Sequence, residues 1–533
     1  MAIIVACAGS SMLVRPAVAR AQFGLITLPL NDPAYVQLAA LERGGCAAAR
    51  VSVVRPYQVR LIRAALVAAR TQGGCAGPIL DALAARFAPK AADTRKGLRA
   101  GAAATVQATG YHNGTFLPLW ENVRPTSQGD PAAVGLLHGR LTWGDSDRVA
   151  IVGDGFAESN VRNDPTVRAR PFRTGSGNTS GIVDFSEAYA TARAGVFTFT
   201  LGRGEEAWLG SGAESMILSA NGPPIDRVAA DFHTAHFEGR AIFGTLDNVT
   251  MDSAQDSVSS AFGPQLYYRY IAGHELTWRP SNFAELTLGE TITLSRGAQT
   301  VDLAFVDPFI PYVITQHDSG QAANQVLDNV MAFAAIRLRA GRVTGAAELL
   351  IDDIQIDAAS RLTTPDQLGY DLTLSTPLPV PMPSTLSLEY ERIDSYTYQR
   401  QYYTAVYESY DQPLGSQLGP DADYGHLEAE AFPRAWLRVA GGLGFWRRGL
   451  QRIYERPAQM ATGHADAPFP TSEPGQPVQL AGLGDASIQF LNAVLPITAS
   501  VQVARIQNAN NVPLPAAYYA QLQLTATYAL HYP

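Results

Sequence analysis

The sequence predicts a mostly β protein, a large transmembrane antiparallel β-barrel preceded by a small N-terminal α-helical module. Three observations lead to this prediction. Apolar and polar residues alternate in many short runs after about residue 100, which is the period of a strand with two unlike faces. Charged residues make up only 17% of the chain, against roughly 25% in soluble globular proteins. Tyr and Gly are abundant, as expected for the interfacial girdles and the turns of a barrel.

The first residues have the pattern of an export signal. An apolar run over Ala2–Val14 precedes Ala19-Arg20-Ala21, a small-x-small cleavage pattern. Although no Lys or Arg precedes the apolar run, we expect residues 1–21 to be a secretory signal peptide.

Residues 22–98 are predicted to form three short amphipathic helices. Proline near the start of each helix and glycine after the end of the first two mark the boundaries. The boundary pairs are Asp32-Pro33 with Gly44-Gly45, Arg55-Pro56 with Gly73-Gly74, and Gly77-Pro78. Because the module precedes the barrel, we expect it in the periplasm or in the periplasmic mouth of the barrel.

Cys46 and Cys75 lie in this module. An exported chain reaches an oxidising compartment, where two nearby cysteines favour a disulfide. We therefore predict a Cys46–Cys75 disulfide, and the alternative is a pair of free buried thiols.

Residues 99–533 are predicted to form the barrel. A spanning strand needs about 9–11 residues and its turn or loop about as many, which gives about 18 strands, within a range of roughly 16 to 20. Clear alternating runs are 286–294, 336–340, 386–390, 427–431 and 497–503. In a barrel the apolar positions face lipid and the polar positions face the lumen. In a soluble all-β protein, the alternative, the polar positions would face solvent.

The last strand has the same two faces. Larger apolar side chains recur at alternate positions over Ala520–Tyr532, and between them lie Gln521, Gln523 and His531. We expect these three polar residues to face the lumen and Tyr532 to lie at a membrane interface.

Charge and hydropathy limit the partners. A net charge of −8 argues against nucleic acid. No internal stretch reaches about 18 apolar residues, so no membrane-spanning helix is predicted. We expect a monomer whose wall contacts outer-membrane lipid.

The richest candidate site combines Trp208 with Glu205, Glu206 and Glu214. An aromatic ring beside carboxylates suits carbohydrate, because sugar CH groups stack on the ring and sugar hydroxyls donate to the acids. The alternative is a Trp in the interfacial girdle of the barrel.

Asp352 and Asp353 form the sharpest acidic pair. One interpretation is a site for Ca²⁺ or sugar hydroxyls at a strand end. The favoured alternative is that one aspartate caps a turn and the other pairs with a lumenal arginine, since adjacent strand residues point to opposite faces.

Catalytic motifs are not recognisable. The chain lacks HExxH, a cysteine metal cluster and Gly-x-Ser-x-Gly, each of which marks a defined chemistry. A glycosidase would need two carboxyls at a set separation, and the pattern selects no such pair. The sequence therefore predicts no enzyme, no metal and no cofactor.

Six segments, in one order along the chain, carry a family resemblance. They are NDPAYVQLAALERGG, RPYQVRLIRAAL, DFSEAYATARAGVFTFTLGRGEEAWLGSGAESMILSANGPPID, FVDPFIPYVIT, AAELLIDDIQID and YESYDQPLGSQLGPDAD. Together they resemble the Wzi-like capsule-assembly family of outer-membrane proteins. One departure is Trp208-Leu209-Gly210, where the family pattern has Trp next to Gly.

The resemblance implies a large bacterial outer-membrane barrel with a periplasmic helical bundle. It further implies a surface lectin that holds capsular polysaccharide on the cell, so that a surface polysaccharide is the partner. Three alternatives stay open: a diffusion channel or porin, an outer-membrane enzyme acting on lipid or glycan, and a structural scaffold without a sugar ligand.

Overall fold

A computed structural model describes most of the chain. It covers residues 23–71, 75, 77–89, 96–113, 133–145, 147–159, 181–210, 215–251, 265–299, 303–316, 328–354, 366–400, 403–410, 412–453 and 469–530. The predicted signal peptide lies outside these residues. Within them, no helix has both the length and the apolar character needed to cross a membrane.

Three helices form the N-terminal region and a fourth lies between two barrel strands. They are α1 (Ala34–Arg43), α2 (Val59–Thr71), α3 (Pro78–Phe87) and α4 (Tyr312–Gln316). Short 3₁₀ turns occur at Ala47–Ala49, Leu303–Phe305, Tyr403–Ala405 and Ala509–Asn511.

The start and the end of α1 follow from its flanking residues. The backbone N–H of Ala34 donates to Asp32 Oδ1 at 2.8 Å, which satisfies one of the free donors of the first turn. Arg86 on α3 pairs with the same carboxylate at 2.5 Å and so ties two helices together. Gly45 ends the helix with φ +97°, a conformation that favours glycine.

The predicted disulfide is confirmed. Cys46 and Cys75 are bonded, and Cys46 lies in the apolar core of the helical region. The same core includes inward residues of the barrel wall, among them Val152, Tyr189 and Phe432. The helices therefore pack on the inside of the wall.

The strands extend from residue 54 to residue 530. They are β1 (Val54–Arg55), β2 (Gly97–His112), β3 (Ala133–Asp145), β4 (Val149–Ser159), β5 (Gly181–Ala194), β6 (Phe197–Gly204), β7 (Ala207–Trp208), β8 (Ile225–His233), β9 (Phe237–Thr245), β10 (Val249–Met251), β11 (Gln265–Ser281), β12 (Ala284–Arg296), β13 (Asp328–Ala340), β14 (Val343–Asp353), β15 (Gln367–Pro377), β16 (Ser384–Ile393), β17 (Glu408–Ser409), β18 (Gln412–Pro413), β19 (Ala422–Arg434), β20 (Leu437–Arg448), β21 (Gln479–Phe490), β22 (Ile497–Gln507) and β23 (Ala517–Leu530).

The strands close into an antiparallel barrel of 18 wall strands, as predicted. Closure occurs where β23 pairs with β2, with Leu530 opposite Ala102. Strands β9 and β10 pair in succession along β11 and count as one wall strand. The β1–β7 and β17–β18 pairs form two small separate sheets.

The two ends of the barrel differ in their connections. At one end, turns of two to six residues join β3 to β4, β5 to β6, β8 to β9, β11 to β12, β13 to β14, β15 to β16, β19 to β20 and β21 to β22. We call this end the short-turn rim and the opposite end the long-connection rim. Two of the long connections turn into the barrel and are described below.

The last strand has the predicted faces. Leu522 is 61% exposed and Tyr528 55% exposed on the outer wall, whereas Gln521 is 8% exposed on the inner side. His531 and Tyr532 lie outside the described residues. An apolar outer face and a polar inner face are the signature of a membrane barrel.

One stretch of the wall departs from this pattern. Ile292 and Leu294 on β12 belong to the apolar face, yet they are 0% and 2% exposed. The reason is that residues 303–316 lie over them on the outside of the barrel.

Candidate functional site

The first inward loop contains the strongest sequence candidates. It comprises residues 205–210 and 215–224, between β6 and β8. Inside the barrel its strand β7 pairs with β1 from the N-terminal region, with Trp208 opposite Val54. The N-terminal region and the loop therefore meet in the lumen and form a two-stranded sheet there.

Glu206 is the electrostatic centre of this loop. Its carboxylate accepts from the guanidinium groups of Arg227 and Arg240, and from Trp208 Nε1 at 3.1 Å. Arg240 also donates to Asp231. All five side chains are at most 8% exposed, so two buried acids balance two buried bases.

The arginines determine the charge state of Glu206. Burial raises the pKa of this carboxyl, but Arg227 and Arg240 lower it more, and the net pKa lies below the ordinary glutamate value. Glu206 is therefore ionised near neutral pH, and its charge pairs with the two arginines and holds the loop.

Trp208 is packed on all sides. The ring is 0% exposed and lies 6.3 Å from the ring of Phe333. A Cβ on Gly273 would lie 2.8 Å from the ring, so the wall needs a glycine at this point. The ring has no free face for a sugar, and it is not part of an interfacial girdle.

The departure from the family pattern places a leucine in a backbone conformation that favours glycine. Leu209 has φ +63° and Gly210 has φ +86°. A positive φ is costly for a residue with a side chain, so glycine would be favoured at position 209, next to the Trp. The turn is held by the N–H of Gly210, which donates to Glu348 at 3.0 Å.

The second inward loop packs against the first inside the barrel. It comprises residues 394–400, 403–410 and 412–421, between β16 and β19. The rings of Tyr398 and Tyr407 stack 5.7 Å apart. Their hydroxyls donate to the carbonyls of Met216 and Ile217, each at 2.6 Å. Both tyrosines are 0% exposed, so the two loops form one apolar core.

Asp352 and Asp353 lie at the edge of this second loop. Asp352 Oδ2 accepts from the N–H of Tyr398 at 2.7 Å, and Arg400 lies 3.1 Å from Asp352 Oδ1 and 3.9 Å from Asp353 Oδ2. The register of β14 against β15 shifts between Ile351 and Asp353. Because of this irregularity, the two adjacent carboxylates approach one arginine instead of pointing to opposite faces.

At the short-turn rim, the helical region is bound to the wall by charged groups. Glu42 pairs with Arg337, Arg50 pairs with Glu285, and Arg43 lies 2.7 Å from Glu430. Burial raises the pKa of Glu42, but the charges of Arg337 and Arg50 lower it by more, and the net pKa lies below the ordinary glutamate value.

A cavity of about 390 Å³ lies beside these contacts. It is lined by residues of both the helices and the wall, including Ala65, Ala68, Arg279 and Phe283. Charged side chains at its edge already pair with one another. The cavity is therefore a gap between the helical region and the barrel wall, which are docked against each other.

The structure does not bring all the predicted carbohydrate-binding residues together in one site. Glu206 and Trp208 are in contact, Glu205 is half-buried beside them, and Asp352 and Asp353 lie near the second loop. Glu214 lies outside the described residues. Whether any of them contacts carbohydrate stays a prediction.

The side chains that the sequence did not reveal are the partners of these acids, Arg227, Arg240 and Arg400, and the tyrosine pair. Alternation along the strands places Arg227 and Arg240 inside, but their convergence on Glu206 depends on the path of the loop. Among the described residues, no three His, Cys, Asp or Glu side chains are placed to bind one metal ion.

Comparison with known proteins gives one family. The sequence model for the capsule assembly protein Wzi matches residues 101–512, which confirms the resemblance seen in the motifs. No curated protein matches the chain in sequence.

Solved structures share the architecture. Wzi of Escherichia coli, an outer-membrane protein involved in group 1 capsule assembly and described as a carbohydrate-binding β-barrel, is 13% identical, with coverage of 94% of this chain and 98% of that one and a TM-score of 0.56. OccD3 of Pseudomonas aeruginosa is 9% identical, with 81% and 91% coverage and a TM-score of 0.46. OccAB4 of Acinetobacter baumannii is 8% identical, with 81% and 97% coverage and a TM-score of 0.43. At these identities the first likeness concerns the fold, and the other two scores are too low to support an argument.

Proposed function

Because the chain belongs to the Wzi capsule assembly family, we propose that it binds capsular polysaccharide or a related exopolysaccharide and anchors it at the cell surface, as a lectin and not as an enzyme. The chain is an outer-membrane β-barrel with a role related to the capsule. The step from this role to sugar binding is supported by the Escherichia coli protein, which is described as carbohydrate-binding.

The filled lumen is the observation that carries the proposal. Trp208, Tyr398 and Tyr407 of the inward loops are 0% exposed, and the helical region packs on the inner wall from the other end. A porin needs a water-filled channel. A barrel filled in this way instead presents its rim to a polymer too large to enter.

The orientation follows from the connections. In bacterial outer-membrane barrels the periplasmic turns are short and the extracellular loops are longer. We therefore assign residues 22–98 to a periplasmic module, residues 99–533 to the barrel, and the long-connection rim to the cell surface, after export directed by residues 1–21. One chain closes the barrel, so a monomer is sufficient.

Two of the predicted carbohydrate residues keep accessible surface. Glu205 is half-buried, and the Asp353 side chain is 41% exposed beside Arg400, which is 22% exposed. A carboxylate and a guanidinium side by side can accept from and donate to the hydroxyls of one sugar. We assign sugar contact to Glu205, Asp353 and Arg400, and we assign Glu206, Trp208 and Asp352 to the support of the loops.

Deletion of the gene tests the function directly. We expect the capsule to be made but released into the medium, as measured by polysaccharide in the cell-bound and soluble fractions. Complementation with Asp353→Asn should restore less cell-bound polysaccharide than the wild type, because the variant loses a charge at the assigned contact. Asp81→Asn makes the same charge change on α3, where the side chain is 73% exposed, away from the long-connection rim; it is the matched control and should restore retention fully. Capsule that stays on the deletion strain would contradict the proposal.

The purified protein distinguishes the alternatives. A large single-channel conductance in a planar bilayer would indicate a diffusion channel. Turnover of a glycan or lipid that is lost on replacing one lumenal carboxylate would indicate an enzyme. A folded barrel that binds none of the purified surface polysaccharides of the source strain would indicate a scaffold without a sugar ligand.

A further inference from the structure

Residues 303–316 form a segment that lies on the outside of the barrel wall. On β11 and β12, residues at alternate positions share one face. Leu276 and Leu288 on the outer face are 50% and 52% exposed, but Ala272 and Ile292, farther along the same face, are 0% exposed. Something outside the wall therefore covers the part of this face nearest the long-connection rim.

The cover is made by two aromatic side chains of the segment. Phe305 and Tyr312 are 0% and 1% exposed, and they form one apolar cluster with Tyr270, Ile292, Leu294 and Val330 of the wall. The turn between them is closed by the N–H of Phe309, which donates to Asp307 Oδ1 at 3.0 Å. The segment is thus fastened to the wall at both ends of its turn.

A polar pair lies beneath the segment. His274 and Glu290 face each other across β11 and β12, with 3.0 Å between Nε2 and Oε1. Glu290 accepts from the N–H of Tyr312 at 2.6 Å, and the rings of His274 and Tyr312 are 4.6 Å apart. Ionisable groups directed at hydrocarbon are costly, so the segment provides this pair with a protein environment.

The outward side of the segment is apolar. The exposed fractions are 75% for Leu303, 90% for Phe309, 50% for Val313 and 64% for Ile314. An exposed apolar patch of this kind marks an interaction surface. The patch continues the apolar outer wall, whose partner is lipid, and that continuity identifies what covers it.

We propose that residues 303–316 form an interfacial segment of the barrel, with Phe309 and its apolar neighbours immersed in the lipid leaflet at the long-connection rim. The segment widens the apolar band of the wall on one side. Aromatic side chains at the membrane boundary fix the depth of a protein in the bilayer, so this segment fixes the height of the adjacent rim above the membrane.

Site-directed spin labelling of the full chain tests this proposal. Nitroxide labels are attached to Phe309→Cys, Leu288→Cys and Ser472→Cys in a Cys7→Ser background, with the Cys46–Cys75 disulfide kept. The proteins are inserted in phosphatidylcholine vesicles. Collisions with oxygen, which concentrates in lipid, are compared with collisions with water-soluble nickel-EDDA by power-saturation electron paramagnetic resonance.

The label at position 309 should behave like the label at 288 on the mid-wall and unlike the label at 472 in an exposed turn. Oxygen should reach it, and the nickel complex should be at least severalfold less effective than at 472. Equal access of the nickel complex at 309 and 472 would overturn the proposal. Protection from both reagents would also overturn it, because a protein surface would then cover the segment. Since Phe309 is 90% exposed, its replacement removes little packing, and Ile314→Cys provides a second position.

Discussion

Replacement of Glu206 by glutamine tests whether the buried charges hold the first inward loop. In the wild type, Glu206 and Asp231 balance Arg227 and Arg240. A glutamine amide is isosteric with the glutamate carboxylate, so Glu206→Gln leaves the packing in place and changes the local net charge from zero to +1.

The magnitude follows from burial. Removal of one partner from a buried ion pair costs about 3–5 kcal/mol, because an uncompensated charge stays behind. Arg227 keeps weaker contacts with the carbonyls of Ile225 and Glu205, at 3.3 and 3.2 Å, and the new amide can still accept one hydrogen bond. We therefore expect the lower end of the range, about 3 kcal/mol, which corresponds to roughly a hundredfold in the opening equilibrium of the loop.

Hydrogen exchange measured by mass spectrometry reports this opening. Amides of residues 205–210 and 215–224 should lose about two orders of magnitude of protection, while amides of β22 and β23 serve as an internal control and should not change. Glu473→Gln should change neither region. The double variant Glu206→Gln with Arg227→Gln restores neutrality and should recover part of the loss. Unchanged protection in the single variant, or strictly additive losses in the double variant, would refute the role given to these charges.

Three further perturbations have defined outcomes. Because the pKa of Glu42 is lowered in the native state, the ionised carboxylate stabilises the docked helix above the ordinary pKa of about 4.3, and this stabilisation is lost as the pH falls through the lower native value. Hydrogen exchange of α1 should therefore show increasing opening as the pH is lowered from about 6 to about 3. Arg337→Gln should make this opening depend less on pH. The paired change Cys46→Ser and Cys75→Ser opens a loop with a sequence separation of 29 and should destabilise the helical region by about 3.5 kcal/mol in the chain-entropy model, measured by denaturant unfolding. Leu522→Arg places a charge on the lipid face and should cost up to about 2–4 kcal/mol near the midplane, measured by urea unfolding in vesicles with Leu522→Ala as control; no difference between the two would contradict the assigned face.

The features that the sequence predicted correctly depend on neighbours along the chain. The alternation in β23 requires only that residues two apart share a face, so Leu522 and Gln521 could be assigned to opposite sides. The boundary signals of α1 are similarly local, as Asp32 and Gly45 show. Strand number followed because the membrane thickness limits the length of each strand.

The features that could not be predicted depend on contacts across the fold. Ile292 and Leu294 have the pattern of lipid-facing residues and are instead covered by residues 303–316, which carry one of the family motifs. The irregular pairing at Asp353 brings two carboxylates to one arginine, and alternation alone predicts the opposite. The convergence of two arginines on Glu206 likewise requires the path of an inward loop.

The burial of Glu206 beside Trp208 also limits the residues that can take part in the proposed glycan site. An aromatic ring beside acidic residues indicates a sugar site only while the ring and the acids are accessible, and in this barrel Glu206 and Trp208 bond each other in the interior. Buried ion pairs contribute little net stability compared with apolar packing, and their best-attested use is to select one arrangement among several. Here the selected arrangement is the position of two loops that lie under the long-connection rim. These two loops are held by contacts within the chain, so that under the proposed function they add little ordering cost when a polymer binds. Under the proposed function, the interior of the barrel contributes to binding by holding these two loops in place, and the proposed sugar contacts are half-exposed residues such as Glu205 and Asp353.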